Sequence, residues 1–331
     1  MSDFSIQKAR LTIDPIRELV YDDLIAVQTL MLNTSHSSVD LINDLVNHIV
    51  KSGGKRIRPL LILLTCHACH YEGEDHIKLA SMIEFFHTAS LLHDDVIDQS
   101  TLRRGQKTAN TIWGDKASIL VGDYLFTRHI QLMLQIGNLN IMKNFMDIAH
   151  QISCGEIKQL VKRHHVLSNN DYFDVIRSKT SLLFAACSQL SALLSETEAH
   201  LEKALYNYGL HLGNAFQLTD DALDYCADVN VIGKNIGDDL ADGKTTMPLL
   251  HVLQHGTSKQ KEQIQHALSK GSRDDLPDVL RAIHETNAIE HTKSIALNEA
   301  QKAQKALNCL PESVYKDALH ELAHYAALRD H

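Results

Sequence analysis

Apolar residues recur at three- and four-residue steps over one stretch of this chain after another, and this spacing constrains the fold more than any other feature. From Ser38 to Val50, the residues Val39, Leu41, Ile42, Leu45, Val46, Ile49 and Val50 follow a helical period before Gly53-Gly54 closes the segment. The same spacing predicts helices over Glu74 to Asp98, Lys116 to Gln135, Ile141 to Val161, Tyr172 to Leu194, Glu198 to Ala227, and several stretches after Pro248. No period-two pattern competes with them. Breakers are sparse, with 15 Gly and 5 Pro in 331 residues, so an all-α helical bundle is expected. No Gly-, Ser- or Pro-rich linker divides the chain. A single helical domain over 1–331 is therefore expected, with the chemistry inside 51–250 and the more charged 257–331 forming peripheral C-terminal helices.

Two of the predicted helices carry the same acidic pattern near their ends. Leu91-Leu92-His93-Asp94-Asp95-Val96-Ile97-Asp98 is echoed by Gln217-Leu218-Thr219-Asp220-Asp221-Ala222-Leu223-Asp224. Residues four apart share a helix face, so Asp94 with Asp98, and Asp220 with Asp224, each project carboxylates side by side. A solvated acidic patch would have polar flanks, whereas these clusters interrupt apolar segments. Carboxylates so close repel one another unless a cation neutralises them. Mg2+ suits the role, because it takes oxygen ligands, keeps several waters, and commonly joins one or two carboxylates to a substrate's phosphates. The expected metal ligands are Asp94, Asp98, Asp220 and Asp224, and a bound diphosphate is implied.

Cationic residues are placed to meet such an anion. Gly53-Gly54-Lys55-Arg56-Ile57-Arg58-Pro59 sets three cations on a glycine turn, and Lys55 and Arg58 offer a point charge and a fork of donors for phosphate oxygens. His87 lies two helical turns before Asp94 on the same face. Arg103-Arg104-Gly105 follows the first cluster at a turn, and Lys179-Thr180, Gln217, Lys234 and Lys244 add donors further along.

The net charge of −9 argues against nucleic acid as the main partner. The amino terminus lacks a signal-type apolar core, and the Leu60 to Leu64 run is far too short to span a bilayer, so a cytoplasmic protein is expected. Its six cysteines are expected to be reduced thiols. Cys66-His67-Ala68-Cys69-His70 matches a haem-attachment pattern, but it falls within an apparent helix after an apolar run, where buried thiols are the simpler expectation.

The segments GGKRIRP, HTASLLHDDVIDQSTLRRG, VGDYLF, GEIKQL, KTSLLF, GNAFQLTDDALDY, GKNIGDDL and DGKTTMPLL, in this order over roughly Lys51 to Leu250, resemble the trans-isoprenyl diphosphate synthases, and among them the long-chain polyprenyl type. The resemblance implies an isoprenoid-synthase bundle with a central cavity. In it Asp94, Asp98, Asp220 and Asp224 hold Mg2+, with Asp95 and Asp221 in support. Lys55, Arg58, His87 and Arg104 would bind isopentenyl diphosphate; Arg103, Lys179, Thr180, Gln217, Lys234 and Lys244 would bind the allylic diphosphate. Asp94, Asp98, Asp220, Lys179 and Lys234 are the residues expected to carry catalysis. Ionisation of the allylic diphosphate, attack by the homoallylic double bond and loss of a proton would give a product one isoprene unit longer.

Small residues at Ala89 and Ser90, just before the first cluster, resemble the open tunnels of long-chain enzymes and imply a long polyprenyl product of the octaprenyl class, a quinone side-chain precursor. Departures from the family pattern are mild: Gln99, Ser181 and Ala222 stand where other residues are usual. A homodimer is implied. The alternatives are a short-chain farnesyl or geranylgeranyl diphosphate synthase, a non-catalytic subunit of a heteromeric synthase, a terpene cyclase, and a His-Asp phosphohydrolase; the second aspartate cluster and the GGKRIRP segment weigh against the last two.

Overall fold

Helix α4 (Ile57–Ala68) is apolar around its whole circumference, and Leu60 to Leu64 are all 0% exposed, so it forms an inner strut rather than a surface element. A computed structural model describes residues 12–51, 54–103, 105–226 and 236–329. Before α4 come α1 (Asp14–Glu18), α2 (Tyr21–Ser35) and α3 (Asp40–Lys51); after it come α5 (Asp75–Ile97), α6 (Ala109–Trp113), α7 (Asp115–Ile136), α8 (Leu139–Val161), α9 (Asn169–Ile176), α10 (Leu182–Leu194) and α11 (Ala199–Leu223). The remaining described helices are α12 (Asp238–Ala241), α13 (Met247–His255), α14 (Ser258–Lys270), α15 (Leu276–Glu285), α16 (Ala288–Ala306) and α17 (Val314–Leu328). The all-α expectation holds, apart from a two-residue antiparallel ribbon pairing Leu102 with Lys107 and Arg103 with Gln106. The ribbon sets Arg103 against the end of α5, where it meets Asp95.

Local chemistry sets several helix starts. Asn138 accepts from the amides of Asn140 and Ile141 to begin α8, Ser168 caps α9, and Thr257 and Gln260 form a reciprocal capping box at α14. The segment expected as one helix over Tyr172 to Leu194 is broken by a π turn, Arg177–Ser181, between α9 and α10. Two glycines seat that turn. A Cβ on Gly155 of α8 would stand 2.0 Å from Ser178 Cβ, and one on Gly213 of α11 would stand 2.5 Å from Ser181 Cα. Only glycine lets both helices approach the turn so closely.

The main core joins α4, α5, α7, α8, α10 and α11, and a second apolar cluster of Leu240, Leu249, Val252, Ile264, Leu268, Val279 and Ile283 lies among α12 to α15. The expectation of a peripheral 257–331 needs correction. Leu307, Leu319, Leu322 and Ala323 are fully buried in the main core, and α16 packs along α11, because the inward faces of the last two helices are mostly alanine and leucine and their buried charges, Glu299 and Lys316, are hydrogen-bonded. No described helix is long and apolar enough to cross a membrane.

Candidate active site

Helix α5 ends in the first aspartate cluster, and its helical twist divides the three carboxylates. Asp95 is buried and accepts from Arg103 Nε at 2.9 Å and Nη2 at 2.7 Å, a fork-on-carboxylate pair supplied by the ribbon. Asp94 and Asp98 share the other face and are half-buried. Asp98 pairs with Arg163 and accepts from Lys244 Nζ at 2.9 Å. Burial would raise the Asp98 pKa, but Lys244, then Lys179 and Arg163, hold it below the usual carboxylate range. Asp94 moves the other way: burial, reinforced by the Asp98 charge, raises it despite Lys179. Two carboxylates one turn apart are thus pushed in opposite directions, which is how a pair behaves when cations reach one member better than the other.

The second cluster repeats the division. Asp221 is buried at the end of α11 and accepts from Tyr172 Oη at 2.6 Å, Gln217 Nε2 at 3.0 Å and the Met247 amide at 3.0 Å. Burial, with the nearby Asp239 charge, still pushes it up to about 7. Asp220 faces out of the core and pairs with Arg329, whose guanidinium also donates to the Phe216 carbonyl at 3.1 Å and lies 4.0 Å over the Phe216 ring. Asp224 caps the helix, and its carbonyl accepts from the Gly237 amide at 3.0 Å.

The π turn and the loop after α12 tie the clusters together. Thr180 donates to Gln217 Oε1 at 2.7 Å, and Gln217 passes its amide to Asp221. One residue earlier, Lys179 Nζ lies 3.2 Å from Gln159 Oε1 and 3.6 Å from Glu156, and its charge bears on both Asp94 and Asp98. Burial raises Glu156. Lys244 contacts Asp98 and Asp242, while its amide donates to the Asp239 carbonyl at 2.8 Å. Burial disfavours its charged form, yet Asp239, Asp98 and Asp242 outweigh burial and raise its pKa. Lys244 bonds Asp98 while Met247, three residues on, donates to Asp221, so one short segment brings the ends of α5 and α11 to one space.

A cationic corner forms where α4 begins. Arg58 Nη1 lies 2.9 Å from His87 Nε2, and its guanidinium sits 4.8 Å from the Phe184 ring centroid. Lys55 lies 5.7 Å from the Tyr325 ring centroid. Arg56 is occupied elsewhere, pairing with Glu84 at 2.8 Å and anchoring the loop to α5. Ala89 is buried, and Ser90 donates to the His87 carbonyl at 2.8 Å. Arg104 and Lys234 lie outside the described residues. Cys66 is 1% exposed and its thiol is pushed up to about 12 by burial, which disposes of haem attachment at that position.

The spacing did not single out Glu156, Arg163, Tyr172 or Arg329. The donors Asp94, Asp98, Asp220 and Asp224 all offer carboxylate oxygens, with cations beside the first three, a set suited to a hard divalent ion and not to a soft one.

The family model described as Polyprenyl synthetase matches residues 39–285. The chain is 44% identical over 322 residues to the octaprenyl diphosphate synthase of Escherichia coli strain K12, covering 97% of this chain and 100% of that one. It is 38% identical over 309 residues to an all-trans-nonaprenyl-diphosphate synthase (geranyl-diphosphate specific) of Rhodobacter capsulatus, covering 93% and 95% of the two chains. A crystal structure of polyprenyl synthase from Caulobacter crescentus CB15, complexed with calcium and isoprenyl diphosphate, superimposes with a TM-score of 0.94 at 36% identity over 98% of this chain and 100% of that one.

Proposed function

The chain belongs to the polyprenyl synthetase family, and from that premise we propose that it condenses an allylic diphosphate, such as farnesyl diphosphate, with successive isopentenyl diphosphates to give a long all-trans polyprenyl diphosphate, octaprenyl in length. The observation that supports this reading is the segment that sets Lys244 on Asp98 and the Met247 amide on Asp221, so that both aspartate clusters meet the same cation-bearing loop. Asp94, Asp98, Asp220 and Asp224 would hold Mg2+, and the all-oxygen donor set fits that ion. When bound, the metal supplies Lewis-acid neutralisation of charge developing on the departing diphosphate.

The chain's own groups do the rest. Lys179, Lys244, Arg103, Thr180 and Gln217 grip the allylic diphosphate, with Lys234 as a further cation, and stabilise it most as its bond to carbon breaks. Lys55, Arg58, His87 and Arg104 hold isopentenyl diphosphate at the start of α4, which orients its double bond towards the allylic carbon. Asp95 positions Arg103, and Tyr172 with the Met247 amide fixes Asp221. The product grows past Ser90 and Ala89 along α5, where small side chains leave room.

Octaprenyl length is supported by the identity to the Escherichia coli enzyme, and a quinone side chain is the destination we propose. A cytoplasmic location belongs to the same reading. A homodimer is supported by exposed apolar residues on α7 and α8, including Leu120 at 67%, Leu134 at 57% and Leu139 at 75% exposure. The test is incubation of the purified chain with farnesyl diphosphate and labelled isopentenyl diphosphate, with Mg2+ or with EDTA, and chromatography of the extracted lipids. A Mg2+-dependent ladder ending at eight units is expected. A folded chain that incorporates no label alone, but does so with a second subunit, would overturn the reading.

A further inference from the structure

Three helices bring Asp23, His67 and His76 together at the end of α5 remote from the aspartate cluster. Asp23 stands in the first turn of α2, His67 in the last turn of α4 and His76 in the first turn of α5. Each offers a ligand atom within 4.8 Å of the others. His67 Nε2 lies 2.7 Å, and His76 Nε2 3.5 Å, from the same Asp23 oxygen. His76 is only 9% exposed, yet neither of its buried ring nitrogens has a close, well-aligned hydrogen-bond partner. A buried, poorly satisfied imidazole aimed at a carboxylate and a second imidazole calls for a partner, and an ion is one that satisfies all three. The His67 ring is stacked 4.8 Å from Tyr315, which fixes its plane.

We infer that Asp23, His67 and His76 form a second metal site, built for a borderline transition-metal ion such as Zn2+ rather than for Mg2+, that clamps α2, α4 and α5 together. Two imidazoles and one carboxylate match that class of ion, whereas Mg2+ prefers oxygen alone. The Asp23 and His67 side chains keep 26% and 28% exposure, so ions have a path in and solvent can fill a remaining coordination position. His76 and Asp94 are eighteen residues apart on one helix, roughly 27 Å at ~1.5 Å per residue, so the site is separate from the proposed catalytic metals. The histidine trio His251, His255 and His291 is a poorer candidate, because His251 Nε2 is engaged with the Thr286 carbonyl at 3.1 Å.

The test uses metal-stripped full-length protein in saturating Mg2+, titrated with Zn2+ by calorimetry and with Co2+ by visible absorption. One tight site is expected, with the d–d bands of a nitrogen- and oxygen-ligated Co2+ ion and a Zn2+-dependent rise in Tm. Loss of an outer partner typically weakens a metal site about 10–100-fold, so His67→Gln or His76→Gln should weaken binding by about 100-fold or more. His291→Gln and Asp94→Asn should leave it unchanged. Should His76→Gln fail to fold by circular dichroism, the more exposed His67→Gln decides. Wild-type protein without a tight site, unaltered binding in His67→Gln, or binding lost only in His291→Gln or Asp94→Asn would overturn the assignment.

Discussion

Lys244 Nζ reaches across 146 positions of sequence to lie 2.9 Å from Asp98 Oδ2, so the loop after α12 closes directly onto the end of α5. The lysine is 13% exposed and also holds Asp242, which keeps its ammonium fixed among carboxylates. Such a preset charge is most valuable where negative charge develops during bond breaking. Lys244→Ala should therefore lower kcat by about 100-fold, with a smaller change in KM and an unaltered far-UV spectrum. Steady-state kinetics at saturating Mg2+ check this; a kcat within twofold of wild type would remove Lys244 from the machinery.

Asp94 bears a different cost. Its folded pKa is raised by burial, so ionising it at neutral pH works against the fold, and that penalty appears as pH rises above the unfolded carboxylate value of about 3.9. Asp94→Asn should then be as stable as wild type or more so in EDTA at pH 7, while turnover falls by about a thousandfold and the Mg2+-induced gain in Tm shrinks. Thermal melts with and without Mg2+, beside single-turnover assays, separate the effects. A variant that is active, or that unfolds more easily in EDTA, would contradict this account of Asp94.

The fold was legible in the sequence because helical periodicity is a local property, and both aspartate clusters stood out because each breaks an apolar face. What escaped was set by distance or by backbone detail. Arg163 looks like one cation in a surface run until it meets Asp98, and Arg329 meets Asp220 only after α17 has packed into the core. The π turn left no mark on the apolar spacing, since its cause is the close approach of Gly155 and Gly213 from neighbouring helices. Charge density misplaced the last two helices, whose buried faces are built largely from alanines and leucines that a composition argument undervalues.

Ser90 and Ala89 set a third expectation. Ala89 is 1% exposed, and one turn earlier Phe86 packs 5.1 Å from Phe145 and 5.5 Å from His129, centroid to centroid. An aromatic ring at position 90 would add bulk just before the aspartate cluster, above this aromatic group. Ser90→Phe should shift the product several isoprene units shorter while the first condensation keeps a rate within a few fold of wild type. Ala89→Phe should do the same and also destabilise by about 1–3 kcal/mol through overpacking. Chromatography of the products decides; an unchanged final length in Ser90→Phe would place the growing chain elsewhere.

Glu299 on α16 ties the carboxy-terminal helices to α11, and its pH dependence has a definite sign. The carboxylate is 5% exposed and lies 2.8 Å from His211 Nδ1, 2.8 Å from Asn214 Nδ2 and 2.6 Å from Lys302 Nζ. Burial alone would raise its pKa, but these three donors prevail and hold it at about 2. A folded value below the unfolded one, about 4.3, means that its stabilisation is complete above the unfolded value and is lost as pH falls through the folded one. Glu299→Gln should thus cost about 2–3 kcal/mol at pH 7, and the gap from wild type should narrow by pH 3 and close near pH 2. Urea unfolding across that range measures it. A gap that stays constant with pH would show that the loss comes from packing or from the amide's hydrogen-bond mismatch, and not from the charge that joins α16 to α11.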